Sequence, residues 1–310
     1  MTKSFLTYKE QLCKLVNEKQ LSVPNQEYAI EILEQLSYYS LIGGYKDLFK
    51  HSSGKYKYGV TFDELVALYY FDEELRTLFL KYILHVERHM KSIISYYFCE
   101  KYGYDQNAYL NTSNYTLTNK NSMDINKLIY SLQKTISLPS HYAYITHHSR
   151  KYGNVPLWVA VNAMTFGQVS KLYQYMTNDV QYKISRKFPH MTERQLHQFI
   201  TVIARCRNVC AHGERLYSFH IRETIPDTIL HRKLCISQKN GQYSSGKQDL
   251  FSIVIALRYL ISNSEFQTFK ASLTKNINHV LKCCPHLTEA QLYRGMGFPM
   301  NWKAITKFRK

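Results

Sequence analysis

One segment of the chain carries residue types that could do chemistry together: Arg207-Asn208-Val209-Cys210-Ala211-His212, followed by Gly213-Glu214-Arg215-Leu216-Tyr217. On a helix, Asn208, His212 and Arg215 fall at i, i+4 and i+7 and share a face, with Arg207 on the adjoining one. An amide, an imidazole and two guanidiniums would then meet at a common edge. Cleavage of RNA needs such groups. An imidazole titrates near neutrality and can take the 2′-hydroxyl proton or protonate the leaving 5′-oxygen. A guanidinium keeps its charge and can grip the phosphate as negative charge builds there. The Asn208 amide could orient His212 through a hydrogen bond. The 2′-hydroxyl is itself the nucleophile in this chemistry, so no metal ion or other cofactor is expected.

Spacing alone leaves a second reading open. An Arg followed five to seven positions on by a His occurs three times, from Arg205, from Arg207 and from Arg215 to His220, so counting decides nothing. In the second reading His212 ends a helix near Gly213, and Arg207 pairs with Glu214 or Glu193. Cys206, Cys210 and His212 could suggest a metal site, but no CxxC pair accompanies them and small buried thiols are the preferred reading.

The elements that must position these residues read as helices. Of 310 residues, 45% are hydrophobic and 14% aromatic, with only 12 Gly and 7 Pro, which favours an all-α fold over a turn-rich sandwich. Thr7-Tyr8-Lys9-Glu10, Thr61-Phe62-Asp63-Glu64 and Thr192-Glu193-Arg194-Gln195 are capping boxes. The first opens a short helix. The second opens a long one reaching Tyr102, and the third opens the helix that runs into the Arg207 segment. Another helix follows Pro24 and ends in an aromatic stretch with a Gly43-Gly44 turn. Residues 103–121 read as a long loop, 123–136 as a helix, and PLWVAVNAMTFGQVSKLYQYM from Pro156 as one central helix that Gly167 could break. Residues 237–247 read as a flexible loop, with a weak strand pattern near 233–236 and closing helices near 248–262 and 265–281. Residues 1–60 are expected to pack as an N-terminal helical segment on a helical domain spanning 61–310.

Lys and Arg number 40 against 23 Asp and Glu, a net charge of +17. Such a field attracts polyanions, nucleic acid first and an anionic membrane surface second, although charge also serves plain solubility. The odd count of 7 cysteines and the polar start MTKSFLTYKEQL point to free thiols in a cytoplasmic protein. The best apolar run, Phe251 to Ile261, is short and carries Arg258, so no membrane span is expected. DNA is a weaker expectation than RNA, because no helix-turn-helix pattern is present.

RNVCAHGERLY resembles the RN-xx-AH-xx-RLY/W signature of the Abi family of bacterial abortive-infection proteins, placed in the HEPN superfamily. LTYKEQLCKL, LSYYSLIGGYKDLF, the block from Thr61 to Gly103, PLWVAVNAMTFGQVSKLY and MGFPMNW resemble further family blocks in the same order. The family's E-xxx-K/R pair would be Glu87 and Lys91, which by spacing alone is a plain helix pair. Where the family has AHH, this chain has AHG, with Gly213 in place of a second His. Residues 220–290 show no resemblance.

The resemblance implies a HEPN-like helical bundle with added N- and C-terminal helices. It implies a toxin-like, metal-independent endoribonuclease leaving a 2′,3′-cyclic phosphate and a 5′-hydroxyl. One motif is usually half a site, so a homodimer is implied, with RNA as substrate or as a structured noncoding partner. His212 would be general base and acid, Arg207 would stabilise the phosphate, and Asn208 would fix His212. Arg215, Arg205 and Lys91 would hold flanking phosphates, and Tyr217 would stack on a base unless it is simply a buried aromatic. A non-catalytic module that binds structured RNA is the alternative.

Overall fold

The computed structural model describes residues 4–308. Thr7 and Glu10 close their capping box and start α1 (Tyr8–Cys13). Asn25 caps α2 (Gln26–Leu36), its side chain accepting from the Tyr28 N–H. Thr61 and Glu64 close a second box and start α3 (Phe62–Tyr102), a helix of 41 residues. Next come α4 (Gln106–Leu110), α5 (Ser122–Ile136), α6 (Ala143–Tyr152) and α7 (Leu157–Ala160). They lead to α8 (Phe166–Tyr175), α9 (Asn178–Ser185) and α10 (Glu193–Ala211). The chain continues through α11 (Ile229–Lys233), α12 (Leu250–Leu260), α13 (Asn263–Cys283) and α14 (Glu289–Met296). The fold is all-α. The one small sheet among the described residues is a hairpin, Gln238–Lys239 paired with Gln242–Tyr243.

α3 is the spine. α13 and α10 pack along it, and α7, α8, α9 and α12 also touch it. A single apolar cluster runs from Leu12 to Ile305. Every residue of α12 is buried, so the apolar run from Phe251 is a core helix. Its Arg258 is held by Asn263 Oδ1 at 2.6 Å and the Phe308 carbonyl at 3.3 Å. Among the described residues no helix is long and apolar enough to cross a membrane.

Several boundaries differ from the sequence reading. The presumed loop 103–121 contains α4, capped by Asp105. The central helix from Pro156 breaks at Thr165 rather than Gly167, because Thr165 and Gln168 form a capping box that starts a new helix. Residues 233–236 are not a strand; Lys233 ends α11 and 234–236 follow it, and the hairpin turns at Asn240-Gly241, where both φ values are positive. α6, α9 and α14 carry too few apolar positions to stand out by periodicity.

Candidate functional site

α10 delivers the Arg207 segment to the surface and stops there for a local reason. His212 is its C-cap, and Gly213 follows with φ +68°. Gly213 N–H donates to the Cys210 carbonyl at 3.4 Å and Glu214 N–H to the Val209 carbonyl at 3.0 Å, the paired bonds of a Schellman ending. The glycine that replaces a histidine therefore sits where the left-handed conformation is needed. The ending also separates Arg215 from the Asn208–His212 face, which ends with the helix. The Arg215 guanidinium instead donates to the Gly44 carbonyl and lies 5.9 Å from the Tyr217 ring centroid.

Past the glycine, the chain is pinned to α3 by one buried carboxylate. Asp72 is fully buried and accepts from Leu216 N–H at 3.0 Å, Tyr217 N–H at 2.5 Å, Tyr45 Oη at 2.8 Å and Arg76 Nη1 at 2.8 Å. Arg76 also reaches the Glu214 carbonyl at 3.4 Å. Burial pushes the Asp72 carboxyl up, against the pull of these donors. Tyr217 is buried, stacks on Tyr45 at 5.6 Å, and has its hydroxyl pushed up to about 12 by burial. It offers no free face to a base and serves as a core aromatic.

The antiparallel run of α10 along α3 brings Arg207 to Glu87, with Nε 3.6 Å from Oε2. Glu87 also takes Lys91 Nζ at 2.8 Å. Glu87 thus gathers two cations into a half-buried cluster of net positive charge. Arg207 pairs with Glu87 and not with Glu214 or Glu193. Among the described residues no hydrogen bond engages the Arg207 guanidinium; its Nε is buried beside Glu87, which leaves the Nη groups of this partly exposed side chain as the donors for an anion. Arg205 lies on the exposed side and pairs with Glu223 at 2.9 Å.

His212 is exposed; its backbone N–H donates to the Asn208 carbonyl at 2.9 Å, and among the described residues no hydrogen bond or ion pair engages its imidazole. The expected bond from the Asn208 amide to the imidazole is not formed. The contacts 72–216, 76–214 and 87–207 place His212 opposite the stretch of α3 between Arg76 and Glu87. That stretch borders a groove of about 670 Å³ whose lining includes Thr77, Lys81, Leu84, Arg88, Lys91 and Asn162. The site is therefore an imidazole at a helix end and a guanidinium one turn earlier, which Glu87 joins to the cationic groove that it helps to line. Guanidinium and imidazole groups are the residue types that hold phosphates and transfer protons.

Cys206 is fully buried and its thiol is pushed well up by burial, while His212 faces solvent. Among the described residues no group of three or more His, Cys, Asp or Glu side chains is placed to hold a metal ion. Asp72 and Arg76 escaped the sequence reading. Their signal was charge on the buried stripe of α3, where Asp72, Arg76 and Glu87 interrupt apolar neighbours at helical spacing.

The fold and site define an all-α protein with a surface Arg–His pair at the end of a core helix. The chain belongs to the Abi-like protein family, whose profile matches residues 31–218. The match runs from α2 through the turn that Asp72 pins, and membership supports a role in abortive infection. MGFPMNW lies outside it. No curated protein and no solved structure matches the chain.

Proposed function

We propose that the protein is a metal-independent endoribonuclease of an anti-phage abortive-infection or toxin–antitoxin-like system. RNA would be cut by attack of its 2′-hydroxyl on the adjacent phosphate. The observation that carries the reading is a solvent-facing His212 whose imidazole is unbonded among the described residues, five positions after an Arg207 whose guanidinium stands 3.6 Å from Glu87 without a hydrogen bond among those residues. Arg207 would hold the phosphate as charge builds. His212 would move the proton.

Transfer needs both a base for the 2′-hydroxyl and an acid for the leaving 5′-oxygen. One protomer presents one such imidazole. A homodimer that faces two His212 side chains across a cleft would supply both, in line with the HEPN resemblance. The charge of +17 supports a polyanion as partner.

The test is RNA cleavage in EDTA after copurifying nucleic acid has been removed, with wild type, His212→Ala and Arg207→Ala. Cutting with cyclic-phosphate ends by wild type alone is the expected result. Adding excess His212→Ala to wild type should lower cutting further than dilution does, because a mixed dimer carries one His212 where the proposed site needs two. Equal cutting by all three would overturn the reading. RNA retention without cutting by any of them would identify a module that binds structured RNA instead.

A further inference from the structure

Between Asp124 and Asp179 the chain has no acidic residue, while Lys127, Lys134, Arg150, Lys151 and Lys171 all fall in that interval. α6 lies at its centre and buries only Ile145. Tyr144, His147, His148, Lys151 and Tyr152 fall at i, i+3, i+4, i+7 and i+8, one continuous face of the helix. Their rings touch: His148 and Tyr152 have centroids 5.3 Å apart, His147 and Tyr152 6.2 Å. Lys151 Nζ stands 5.2 Å from the Tyr152 centroid, and Tyr142 extends the array, 5.5 Å from Tyr144. Tyr152 is 58% exposed. Among the described residues no hydrogen bond or ion pair within the protein engages the side chains of Tyr144, His147, His148, Arg150 or Tyr152.

The array continues towards the Arg207 site. α7 packs on both α6 and α3, and its Trp158 is 48% exposed. The Trp158 carbonyl accepts from the Asn162 amide at 2.8 Å, and Asn162 in turn lines the α3 groove with Lys81, Arg88 and Lys91. α7 thus joins α6 to the groove on α3, whose lining residue Glu87 meets Arg207.

Lys171 pairs with Asp124 at 3.7 Å, but Arg150 and Lys151 have no ion pair among the described residues, and exposed rings beside such cations match a ligand with planar apolar faces on a polyanionic backbone. Unpaired bases have those faces, and stacking on aromatic side chains tolerates any sequence. A duplex hides its faces in its own stack. We infer that α6, with Trp158, is a platform for single-stranded RNA that holds unpaired bases of the same RNA whose phosphate lies at Arg207. The inference rests on the proposed function only for the nature of the polyanion.

The test uses the full chain carrying Arg207→Ala, which blocks cutting, and two surface double variants added to it. Binding of a labelled unstructured RNA and of a blunt RNA duplex of equal length is measured by fluorescence anisotropy. Tyr144→Ala/Tyr152→Ala should weaken single-strand binding at least about tenfold and duplex binding less than about twofold, with helical signal and Tm held. Arg150→Gln/Lys151→Gln should lower the slope of log affinity against log salt by about 1.4. Unchanged single-strand affinity and salt slope would overturn the platform. So would a loss confined to phosphatidylserine vesicles, which would make α6 a membrane-facing surface. Cutting by the chain with Arg207 intact is scored separately: platform variants that lose binding while no form cuts RNA would retain the platform and remove the nuclease reading.

Discussion

Arg207 faces Glu87 across the α3–α10 interface with Nε and Oε2 3.6 Å apart, close enough to attract and too far to hydrogen-bond. The same carboxylate binds Lys91 at 2.8 Å and is 9% exposed at the side chain. Glu87→Gln would leave two cations side by side with no counter-charge. A stability loss of about 3 kcal/mol is expected in urea unfolding, together with loss of RNA cleavage as Arg207 swings free. A variant as stable as wild type would remove Glu87 as the organiser of this cluster.

His212 has the opposite character. Its imidazole has no bond within the described protein, so His212→Ala should leave stability within about 0.5 kcal/mol. RNA cleavage should fall by about a hundredfold or more, as loss of a proton-transfer group does. Parallel urea melts and EDTA cleavage assays separate the two effects.

Asp72 binds two backbone N–H groups of the segment after the glycine, the Tyr45 hydroxyl and Arg76. Asp72→Ala should cost more than about 3 kcal/mol, because Arg76 would remain buried without its partner. Adding Arg76→Met should recover part of that loss. A double variant no better than the single one would show that the backbone bonds, not the ion pair, carry the effect.

Two left-handed glycines should respond differently to alanine. Gly213 has φ +68° and open space where a Cβ would sit, so Gly213→Ala should cost about 1 kcal/mol. Gly297 has φ +75°, and a Cβ there would overlap the Asp249 carboxyl. Gly297→Ala should cost more than about 3 kcal/mol or prevent folding. Comparison of soluble yield and Tm for the two variants decides this, and equal costs would contradict the packing of the MGFP turn on α12.

Asp249 caps α12, and burial raises its carboxyl to about 6. The folded protein therefore holds a proton that the unfolded chain has released between about pH 4 and 6. This contribution is complete below about pH 4 and is lost as pH rises through 6, at about 3 kcal/mol over the window. Asp249→Asn should flatten that fall in urea titrations between pH 4 and 7. An unchanged slope would assign the pH dependence to other groups.

The starts of α1, α3 and α10 were legible because a capping box is complete within four residues, and the bonds at Thr7, Thr61 and Thr192 form as read. The family, the all-α class and the Arg207–His212 segment were legible for the same reason: they are written in contiguous residues. α6 was not, because a helix that buries only Ile145 leaves no apolar period. Spacing left open whether the helix carries on to Arg215 or ends near Gly213, and the bonds around Gly213 choose the ending. The partners of the site come from far along the chain: Glu87 for Arg207, Asp72 for Leu216 and Tyr217, Gly44 for Arg215. Local hydrogen bonding and hydrophobic period are properties of the sequence by itself. Which buried carboxylate meets which cation is settled only when packing α10 on α3 strips both of water and leaves each in need of the other.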